Sequence, residues 1–312
     1  MRNNKYFNPI LFGILTSLFI CSHSEASVYP LPQPGNDIVG QVQWTQSKPG
    51  DNFSSLGRRY DVGYFQLIEA NPGVDPNLPN PGTIVVIPSR YILPQPRSGV
   101  VINLAELRLF YYPPHQHVVV TYPVGIGREG WSTPEGPTTV IQKVANPTWY
   151  VPADIKADRA KSGITLPNIV PPGPDDPLGA YALYLGFPGY RIHGTNDPTG
   201  VGRRSSSGCI RMWPEDVENL FENVPKGEKV TVVNDAFKAG WQDNKLYLES
   251  HVPLQEQQAN ITDDAKPMTP AVMAATQNHA AIVDWTKAEQ IAKDQNGIPQ
   301  QIGAPATSNN AG

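Results

Sequence analysis

The spacing of apolar residues from 42 to 89 predicts a compact β-α-α-β unit. Strand-like alternation at both ends encloses two stretches with apolar residues three and four positions apart, as amphipathic helices have. The predicted elements are, in order, a strand, two helices and a strand, at residues 42–45, 53–60, 64–70 and 83–88. Asn71-Pro72-Gly73 ends the second helix, because proline and glycine punctuate helices. A unit of this size is more typical of a binding module than of an enzyme.

Strand-like runs dominate residues 97–235. They are rich in Val, Ile, Leu and Tyr and are bounded by Pro and Gly. They cover residues 100–104, 107–112, 118–124, 138–144, 180–185 and 230–233. One helix is predicted from Pro214, because a first helical turn tolerates proline, and Glu215 and Asp216 complement the helix dipole there. The patterns therefore predict a mostly β domain with one clear helix.

Residues 236–312 form an extension of different composition. A predicted strand at 246–249 is followed by a stretch rich in Ala, Gln, Asn, Thr and Pro. The apolar spacing predicts one helix over 279–294, and we expect disorder from Asn296 onward.

Residues 1–26 have the features of a secretory signal peptide. A positively charged start and an apolar run precede small residues at Ser24 and Ala26, so we expect cleavage after Ala26. The apolar run is shorter than the roughly 20 residues that a membrane span needs. A lipoprotein signal at Cys21 is disfavoured, because a bulky isoleucine precedes that cysteine. We therefore expect export to the periplasm without a transmembrane anchor.

The charge and composition narrow the possible partners. The formal net charge is −4, and it becomes −5 when residues 1–26, with Arg2, Lys5 and Glu25, are removed. An acidic chain does not attract nucleic acid or an anionic membrane surface. The 33 prolines and 27 glycines favour strands, turns and extended loops over long helices.

Three short features suggest other kinds of site, but turns explain them better. Residues 125–130 read G-x-G-x-x-G, yet the prolines at 134 and 137 forbid the helix that a dinucleotide-binding motif needs. His115 and His117 lack an evident third zinc ligand, so we expect a hairpin tip there. The adjacent side chains of Asp175-Asp176 diverge and are poor candidates for paired acid-base chemistry.

The candidate chemistry is concentrated between His193 and Cys209. Without residues 1–26, Cys209 has no second cysteine to pair with, so it is either a buried structural thiol or a reactive one. A thiolate is a useful nucleophile, and a neighbouring imidazole can accept the thiol proton. The loop between the two residues contains Pro198, Gly200 and Gly202 and can fold back to bring them together. This spacing favours a Cys-His pair.

Two stretches around these residues, HGTN and SSGCIRM, resemble the active-site signature of the L,D-transpeptidases with the YkuD-type fold, and more specifically the ErfK/YbiS group. The upstream stretches YPVGIGREGWSTPEGPTTV and DDPLGAYALYLG are also similar to this family. The resemblance implies a mostly β, YkuD-type β-sandwich for residues 97–235. Many members of the wider superfamily have His where this chain has Ser207 before Gly-Cys, which leaves His193 as the base candidate.

The resemblance also implies roles for individual residues. Cys209 would be the nucleophile and His193 the general base, oriented by the carbonyl of Gly194. The backbone N–H groups of Gly208 and Cys209 would stabilise the oxyanion. Substrate would be contacted by Arg211, Ser207 and Asn196. Neither a metal nor an organic cofactor is implied.

The reaction implied by this family is acyl transfer from a peptidoglycan tetrapeptide stem with release of D-alanine. Two acceptor amines remain open. One is the C-terminal lysine of a Braun-type outer-membrane lipoprotein, which the ErfK/YbiS likeness favours, and the other is diaminopimelate of a second stem. Water as acceptor would make the enzyme an L,D-carboxypeptidase.

Residues 42–89 resemble a LysM module, with a Gly50-Asp51 turn, the Asn71-Pro72-Gly73 stop and an apolar closing strand. LysM modules bind the N-acetylglucosamine-containing glycan of peptidoglycan or chitin. The resemblance implies that two loops form the sugar groove, from residues Gly50, Asp51, Asn52, Asn71 and Pro72. A hypothesis of another class stays open, in which the whole chain binds peptidoglycan without catalysis.

Overall fold

The computed structural model describes residues 26–258 and 266–306. The predicted signal segment up to residue 25, with Cys21, lies outside these residues. None of the helices in the described ranges has both the length and the apolar character that a bilayer span requires. The elements of the N-terminal part are β1 (Ser27–Pro30), β2 (Ile38–Gly40), β3 (Gln43–Gln46), α1 (Phe53–Tyr60), α2 (Tyr64–Ala70), β4 (Ile84–Ile87) and β5 (Arg90–Ile92).

The β-α-α-β prediction for the N-terminal unit is confirmed. Strands β3 and β4 pair antiparallel, and both helices bury apolar residues in a core of their own. Helix α1 begins at a reciprocal cap, in which the Asn52 side chain accepts the N–H of Ser55 at 2.9 Å and the Ser55 hydroxyl accepts the N–H of Asn52 at 3.0 Å. Such a capping box satisfies two orphan donors of a helix start.

The central part carries the longest sheet. Its elements are β6 (Gly99–Asn103), β7 (Arg108–Tyr112), β8 (Val118–Pro123), β9 (Ile126–Gly127), β10 (Gly136–Ala145), β11 (Trp149–Tyr150), α3 (Ala153–Ala160), β12 (Ile169–Val170), β13 (Tyr181–Leu185), β14 (Arg191–His193), β15 (Arg204–Ser206), β16 (Ile210–Arg211), α4 (Pro214–Asn223) and β17 (Lys229–Val233). Nine strands follow the order β1-β8-β7-β6-β17-β10-β13-β14-β16.

Strand β10 joins two halves of this sheet. Its first residues pair with β17 and its last residues pair with β13, and the register shifts between Val140 and Gln142. Both halves contribute buried residues to one core, which also receives Val217, Leu220 and Val224 from α4 and the residue after it. The mostly β fold is thus confirmed, and α4 begins at Pro214 as predicted.

Residues before 42 extend the long sheet through β1, which pairs with β8, and add β2, which pairs with β5. At the other end, the predicted helix over 279–294 is wrong in its first part, because Ala281–Val283 form a strand and the helix spans Trp285–Asp294. The expected disorder from Asn296 is wrong for the described residues 296–306, since Gln300–Pro305 form a strand.

The C-terminal part has a sheet and a core of its own. Its elements are β18 (Phe237–Gln242), β19 (Lys245–Ser250), α5 (Gln255–Gln258), α6 (Thr269–Thr276), β20 (Ala281–Val283), α7 (Trp285–Asp294) and β21 (Gln300–Pro305). The strand order is β18-β19-β21-β20. Ile302 of β21 is buried against α6 and α7. These long-range contacts order a segment whose local composition favours disorder.

Buried charges connect the three parts. Arg108 of β7 donates to the carbonyl of Asp61 at 2.7 Å and to Gln66 at 3.1 Å, both in the N-terminal unit. Lys238 of β18 donates to Glu106 at 2.7 Å and contacts Glu249 at 2.9 Å. The N-terminal unit is therefore anchored to the sheet by buried hydrogen bonds.

Candidate active site

A cavity of about 780 Å³ contains both residues of the expected Cys-His pair. It is lined by Arg191, His193, Cys209 and Arg211, and also by Tyr190 and Ser207. Residues of the segment 149–170, with β11, α3 and β12, line it as well. The structure thus brings the two predicted reactive side chains to one cavity.

Parallel pairing of β14 with β16 explains why these side chains share a face. Ile192 lies opposite Ile210, and His193 lies opposite Arg211. Side chains alternate along a strand, so the neighbours of the buried isoleucine pair point the other way. The residues one position on either side, His193 with Arg211 and Arg191 with Cys209, therefore face the cavity together.

His193 is held as a neutral imidazole. Its side chain is buried, and Nδ1 lies 2.6 Å from the carbonyl oxygen of Gly194. A carbonyl only accepts, so Nδ1 donates and Nε2 keeps a lone pair. Burial lowers the pKa of His193 to about 3, and the charge of Arg211 adds to this, while the Gly194 carbonyl acts in the opposite direction. The role expected for the Gly194 carbonyl matches this geometry.

The Cys209 thiol is partly exposed and is also neutral at rest. Burial raises its pKa, and the charges of Arg191 and Arg211 and hydrogen bonding from Arg191 oppose that rise. Its Sγ points toward the carbonyl of Gly189 at 3.8 Å. No hydrogen bond joins Sγ to His193 within the described ranges.

Hydrogen bonds from two hydroxyl groups stabilise the turn before Cys209. Ser206 Oγ accepts the N–H of Gly208 at 3.1 Å and donates to the carbonyl of Cys209 at 2.6 Å. Thr133 donates to the carbonyl of Gly208 at 2.8 Å. The expected oxyanion donor at Gly208 is thus occupied by Ser206 in this arrangement.

Glycine is required at position 208 for two reasons. Its φ is +104°, which side-chain-bearing residues rarely adopt, and a Cβ there would lie 2.7 Å from Cε1 of Tyr190. Any other residue before Cys209 would have a strained backbone, and its Cβ would clash with the Tyr190 ring.

Ser207 connects the turn to the segment 149–170 of the cavity lining. Its Oγ accepts from Arg128 at 2.9 Å, and the same guanidinium pairs with Asp158 of α3 at 2.5 Å. Arg128 lies in the glycine-rich turn at residues 125–130, which is followed by a turn and no helix, as expected. A substrate that contacts Ser207 Oγ, as expected from the sequence, would therefore compete with the hydrogen bond from Arg128.

The other two expected substrate contacts are placed differently. Arg211 lines the cavity. Asn196 is exposed and does not line it, since its amide donates to the carbonyl of Asp175 at 3.2 Å. Asn196 therefore lies beside the cavity-lining Asp175, and its contact with substrate stays a prediction.

The residues expected to form the LysM groove have structural partners. Asp51 pairs with Arg59 at 2.6 Å, and Asn52 caps α1. The Asn71 amide donates to the carbonyls of Leu67 and Val86 and accepts the Val86 N–H. Gly50 and Pro72 are exposed at the two loops. The side chains of the three polar residues are thus engaged within the unit, and the exposed loop surface is left for a ligand.

Sequence reasoning missed several residues of the cavity. Arg191 and Tyr190 were not singled out, and neither was the segment 149–170. Counting back two positions from His193 along the same strand identifies Arg191, because alternate residues share a face. No comparable local signal marks segment 149–170, since α3 has no buried residue.

A cluster elsewhere has the residue types of a metal site. Ligand atoms of Glu106, Glu249 and His251 lie within 4.8 Å of one another. The ammonium group of Lys238 contacts both carboxylates, and both ring nitrogens of His251 contact carboxylates. Each charged group of the cluster has an opposite partner within 3.0 Å, with Glu69 as the partner of His251 Nδ1, so the cluster is an ion-pair network.

Comparisons with known proteins agree with this geometry. Residues 97–232 match the YkuD family, the L,D-transpeptidase catalytic domain, and residues 48–88 match the LysM domain family. The chain is similar to the probable L,D-transpeptidase ErfK/SrfK of Escherichia coli (strain K12), with 40% identity over 92% of this chain and 94% of that protein. The probable L,D-transpeptidase YcfS of the same strain is 38% identical over 93% of both chains.

Solved structures show a more distant likeness. The catalytic domain of the Enterococcus faecium L,D-transpeptidase, solved by NMR, is 23% identical with a TM-score of 0.35, covering 45% of this chain and 99% of that one. L,D-transpeptidase 3 from Mycobacterium tuberculosis is 19% identical with a TM-score of 0.32, covering 48% and 66%. The close relatives span almost the whole chain, and the chain therefore belongs to the L,D-transpeptidase family, with a LysM domain ahead of its YkuD catalytic domain.

Proposed function

We propose that this L,D-transpeptidase acts on peptidoglycan through an acyl-enzyme on Cys209, with His193 as its base. The observation that carries the proposal is the shared face of β14 and β16, which directs both side chains into one cavity. A neutral imidazole suits a general base for a neutral thiol. Burial and the charge of Arg211 lower the pKa of His193, which favours the unprotonated form that a base needs.

The first half-reaction transfers the donor to the enzyme. Nε2 of His193 takes the proton from Sγ of Cys209, and Sγ bonds to the carbonyl carbon of the third, L-centred stem residue. The C–N bond to D-alanine then breaks, and the imidazolium returns its proton to the leaving nitrogen. The proposed oxyanion donors are the N–H groups of Cys209 and Gly208, the latter exchanging the Ser206 hydroxyl for the oxyanion.

The second half-reaction returns the enzyme to its starting state. An acceptor amine attacks the thioester carbonyl and gives a proton to Nε2 of His193. The C–S bond breaks, and the Cys209 thiolate takes that proton back. No step in this sequence calls for a metal or an organic cofactor.

The proposed acceptor is the C-terminal lysine amine of a Braun-type outer-membrane lipoprotein. Its support is the resemblance to the ErfK/YbiS group, strengthened by the 40% identity to ErfK/SrfK. The proposed location is the periplasm, and its support is the apolar N-terminal segment together with a single cysteine in the described chain. A thiol nucleophile without a partner avoids disulfide formation in an oxidising compartment.

Mass spectrometry of the reaction products tests the acceptor. The mature protein is mixed with a disaccharide tetrapeptide and a peptide ending in lysine, and Cys209→Ala is run alongside. We expect a lysine-linked tripeptide conjugate with loss of D-alanine, absent for Cys209→Ala. Stem dimers alone would identify a cross-linking enzyme, and a free tripeptide alone would identify a carboxypeptidase. The absence of any product that depends on Cys209 would favour the peptidoglycan-binding hypothesis.

The LysM unit is proposed to hold the enzyme on glycan through the exposed surface of its two loops. Deleting the unit is a poor test, since Arg108 of the catalytic sheet would lose its buried partners there. Pro72→Glu places a charge on the exposed loop and leaves the core intact. We expect weaker pelleting with insoluble sacculi, while Pro114→Glu, at the exposed β7–β8 turn, pellets as the unmodified protein does. Equal pelleting of both variants would contradict the loop site.

A further inference from the structure

Two arginines lie on either side of the nucleophile within the cavity. Arg191 lies across from Cys209, and Arg211 follows two residues after it, on the face that also carries His193. Both guanidinium groups and the thiol line the same space. Two positive charges are thus concentrated beside one sulfur atom.

Neither guanidinium is paired with a carboxylate, although both residues are half-buried. Arg211 makes no ion pair and no side-chain hydrogen bond among the described residues. Arg191 donates from Nη2 to the carbonyl of Gly189 at 3.1 Å, hydrogen bonds to the Cys209 thiol and lies over the ring of Tyr184 at 5.0 Å. A charge partly removed from water without a counter-charge costs folding free energy. An anionic ligand in the cavity would supply that counter-charge.

The acidic residues nearby form no ion pair with these arginines in the described chain. Asp154 and Asp175 line the cavity without contacting either guanidinium. Burial raises the pKa of Asp176, and the charge of Arg191 opposes that rise, but this carboxylate accepts the N–H of Leu178 and is not within ion-pair distance of Arg191. Asp197 acts on Arg211 through its charge, yet its carboxylate accepts from the N–H and hydroxyl of Thr199. The cavity also receives Arg159 from α3. The cavity lining around the thiol is therefore positive, and an anion is the complementary ligand.

We propose that Arg191 and Arg211 form a carboxylate-binding subsite for the C-terminal carboxylate of the donor stem. This inference rests on the proposed function. The leaving D-alanine carries that carboxylate one residue beyond the attacked carbonyl carbon, close enough for groups that flank Sγ. Planar guanidinium groups bind carboxylates with two parallel hydrogen bonds. The subsite selects stems that end in free D-alanine and positions their carbonyl carbon over Sγ.

The occupant leaves with the first half-reaction, which has a consequence for turnover. D-alanine departs with its carboxylate, so the two guanidinium groups lose their partner when the thioester has formed. The emptied positive subsite then disfavours an acceptor that approaches with its positive ammonium and accepts one that approaches as a neutral amine. The same two arginines thus favour donor binding and require a deprotonated acceptor.

Two alkylating reagents of nearly equal size test the subsite without any acyl transfer. Iodoacetamide is neutral and iodoacetate carries a carboxylate, and both form a Sγ–C bond and release iodide. The ratio of the two rates cancels the fraction of thiolate, because both reagents attack the same thiolate. We expect the iodoacetate-to-iodoacetamide ratio at Cys209 to exceed that of the unfolded chain by about tenfold, equivalent to about 1.4 kcal/mol. A ratio equal to that of the unfolded chain would overturn the proposal.

Variants then assign the effect to the two arginines. Arg211→Gln and Arg191→Gln should each lower the ratio, and Arg58→Gln, which removes a guanidinium outside the cavity, should leave it unchanged. A ratio that stays high in both cavity variants would contradict the assignment. Misfolding is detected from the thermal unfolding curve, and a second measurement needs no variant. N-acetyl-D-alanine should slow iodoacetamide labelling of the unmodified protein, and N-acetyl-D-alaninamide should not.

The donor itself provides the last readout. A tetrapeptide with a free C-terminus should lose about tenfold to hundredfold in kcat/KM in Arg211→Gln, while the same peptide as C-terminal amide should change little. Failure of the subsite and failure of the proposed function are distinguishable. A high alkylation ratio without acyl transfer would support the subsite and contradict the proposed reaction. Acyl transfer that uses the acid and the amide equally well would support the reaction and contradict the subsite.

Discussion

His193 and His251 are both buried, yet their surroundings shift their pKa values in opposite directions. His193 faces a carbonyl and two arginines, and burial lowers its pKa to about 3. His251 also pays for burial, but its hydrogen bonds to Glu249 and Glu69, at 2.9 and 3.0 Å, raise its pKa to about 10. Burial alone does not decide the charge of a histidine, because the available partners decide it.

The two surroundings also differ in how completely charges are paired. Around His251, the charges of Lys238, Glu106, Glu249 and Glu69 are paired with one another or with the imidazole. Around His193, Arg191 and Arg211 line a cavity and form no ion pair with any described residue. Paired charges stabilise the fold, whereas guanidinium groups without a counter-charge beside a thiol can bind an anionic ligand. The contrast separates a structural site from a reactive one without reference to relatives.

The largest expected effect comes from removing the base. His193→Gln cannot accept the Cys209 proton, so we expect acyl transfer to slow by about 10²–10⁴-fold, as for loss of a general base. The thermal unfolding temperature should change little, since the imidazole is unprotonated and makes one side-chain bond to Gly194. Single-turnover release of D-alanine measures the rate. A fall of less than threefold would break the assignment of His193, with Arg58→Gln as the control for charge loss elsewhere.

The matching change in the structural network should affect stability instead. Glu249→Gln leaves Lys238 and His251 with one carboxylate fewer in a buried setting. Breaking a buried ion pair typically costs about 3–5 kcal/mol. We expect that loss in urea unfolding, with the alkylation ratio at Cys209 unchanged in the folded fraction. A stable Glu249→Gln protein with altered thiol reactivity would contradict the separation of the two sites.

The pH dependence of stability should distinguish the two histidines, because His193 affects stability at acid pH and His251 at alkaline pH. The folded pKa of His251 is raised, so its contribution is fully present below the unfolded value of about 6.5 and is lost as pH rises through about 10. The folded pKa of His193 is lowered, so the unfolded state gains a proton that the folded state lacks between about pH 6.5 and 3. Stability therefore falls on that acid side.

Each slope should change by about 1.4 kcal/mol per pH unit when the responsible histidine is replaced. His251→Gln should flatten the alkaline fall, and His193→Gln should flatten the acid fall. Urea unfolding between pH 4 and pH 10 measures both. Unchanged slopes in both variants would show that other groups control the pH dependence.

The smallest expected effect concerns the wall of the cavity. Arg128→Ala removes the link between Ser207 and Asp158, and partly exposed ion pairs contribute only about 0–1 kcal/mol. We expect a rise in KM of a few-fold with little change in kcat, and faster proteolysis within 149–170. The matched control is Lys156→Ala on α3, the helix that carries Asp158, because this change removes only an exposed hydrogen bond to Asn168. Equal proteolysis of the two variants would remove the proposed role of Arg128.

Much of this arrangement could be predicted from local sequence. The helix at 53–60 and the strand at 108–112 follow from apolar spacing, and an isolated cysteine, a nearby histidine and the family resemblance pointed to the cavity that Cys209 and His193 both line. Local signals are reliable there because each depends on a few neighbouring residues.

The remainder depends on contacts between distant parts of the chain. Ordering of β21 comes from packing against α6 and α7, which composition near Asn296 does not reveal. The network of His251 joins residues from three parts of the chain, and Asn196 bonds to the carbonyl of Asp175, 21 positions earlier. The Gly208 N–H was expected to be open, but Ser206 occupies it, a detail of turn geometry that no spacing rule specifies.

Intact-protein mass spectrometry of the first half-reaction tests directly whether Cys209 carries the acyl group. The mature enzyme is mixed with tetrapeptide donor in the absence of acceptor amine and quenched in acid at short times. We expect a covalent adduct with the mass of the donor minus D-alanine, located on the peptide that contains Cys209. The adduct should form slowly in His193→Gln and be absent in Cys209→Ala. Release of D-alanine without any adduct on Cys209, or with the adduct on another residue, would contradict the acyl-enzyme on Cys209.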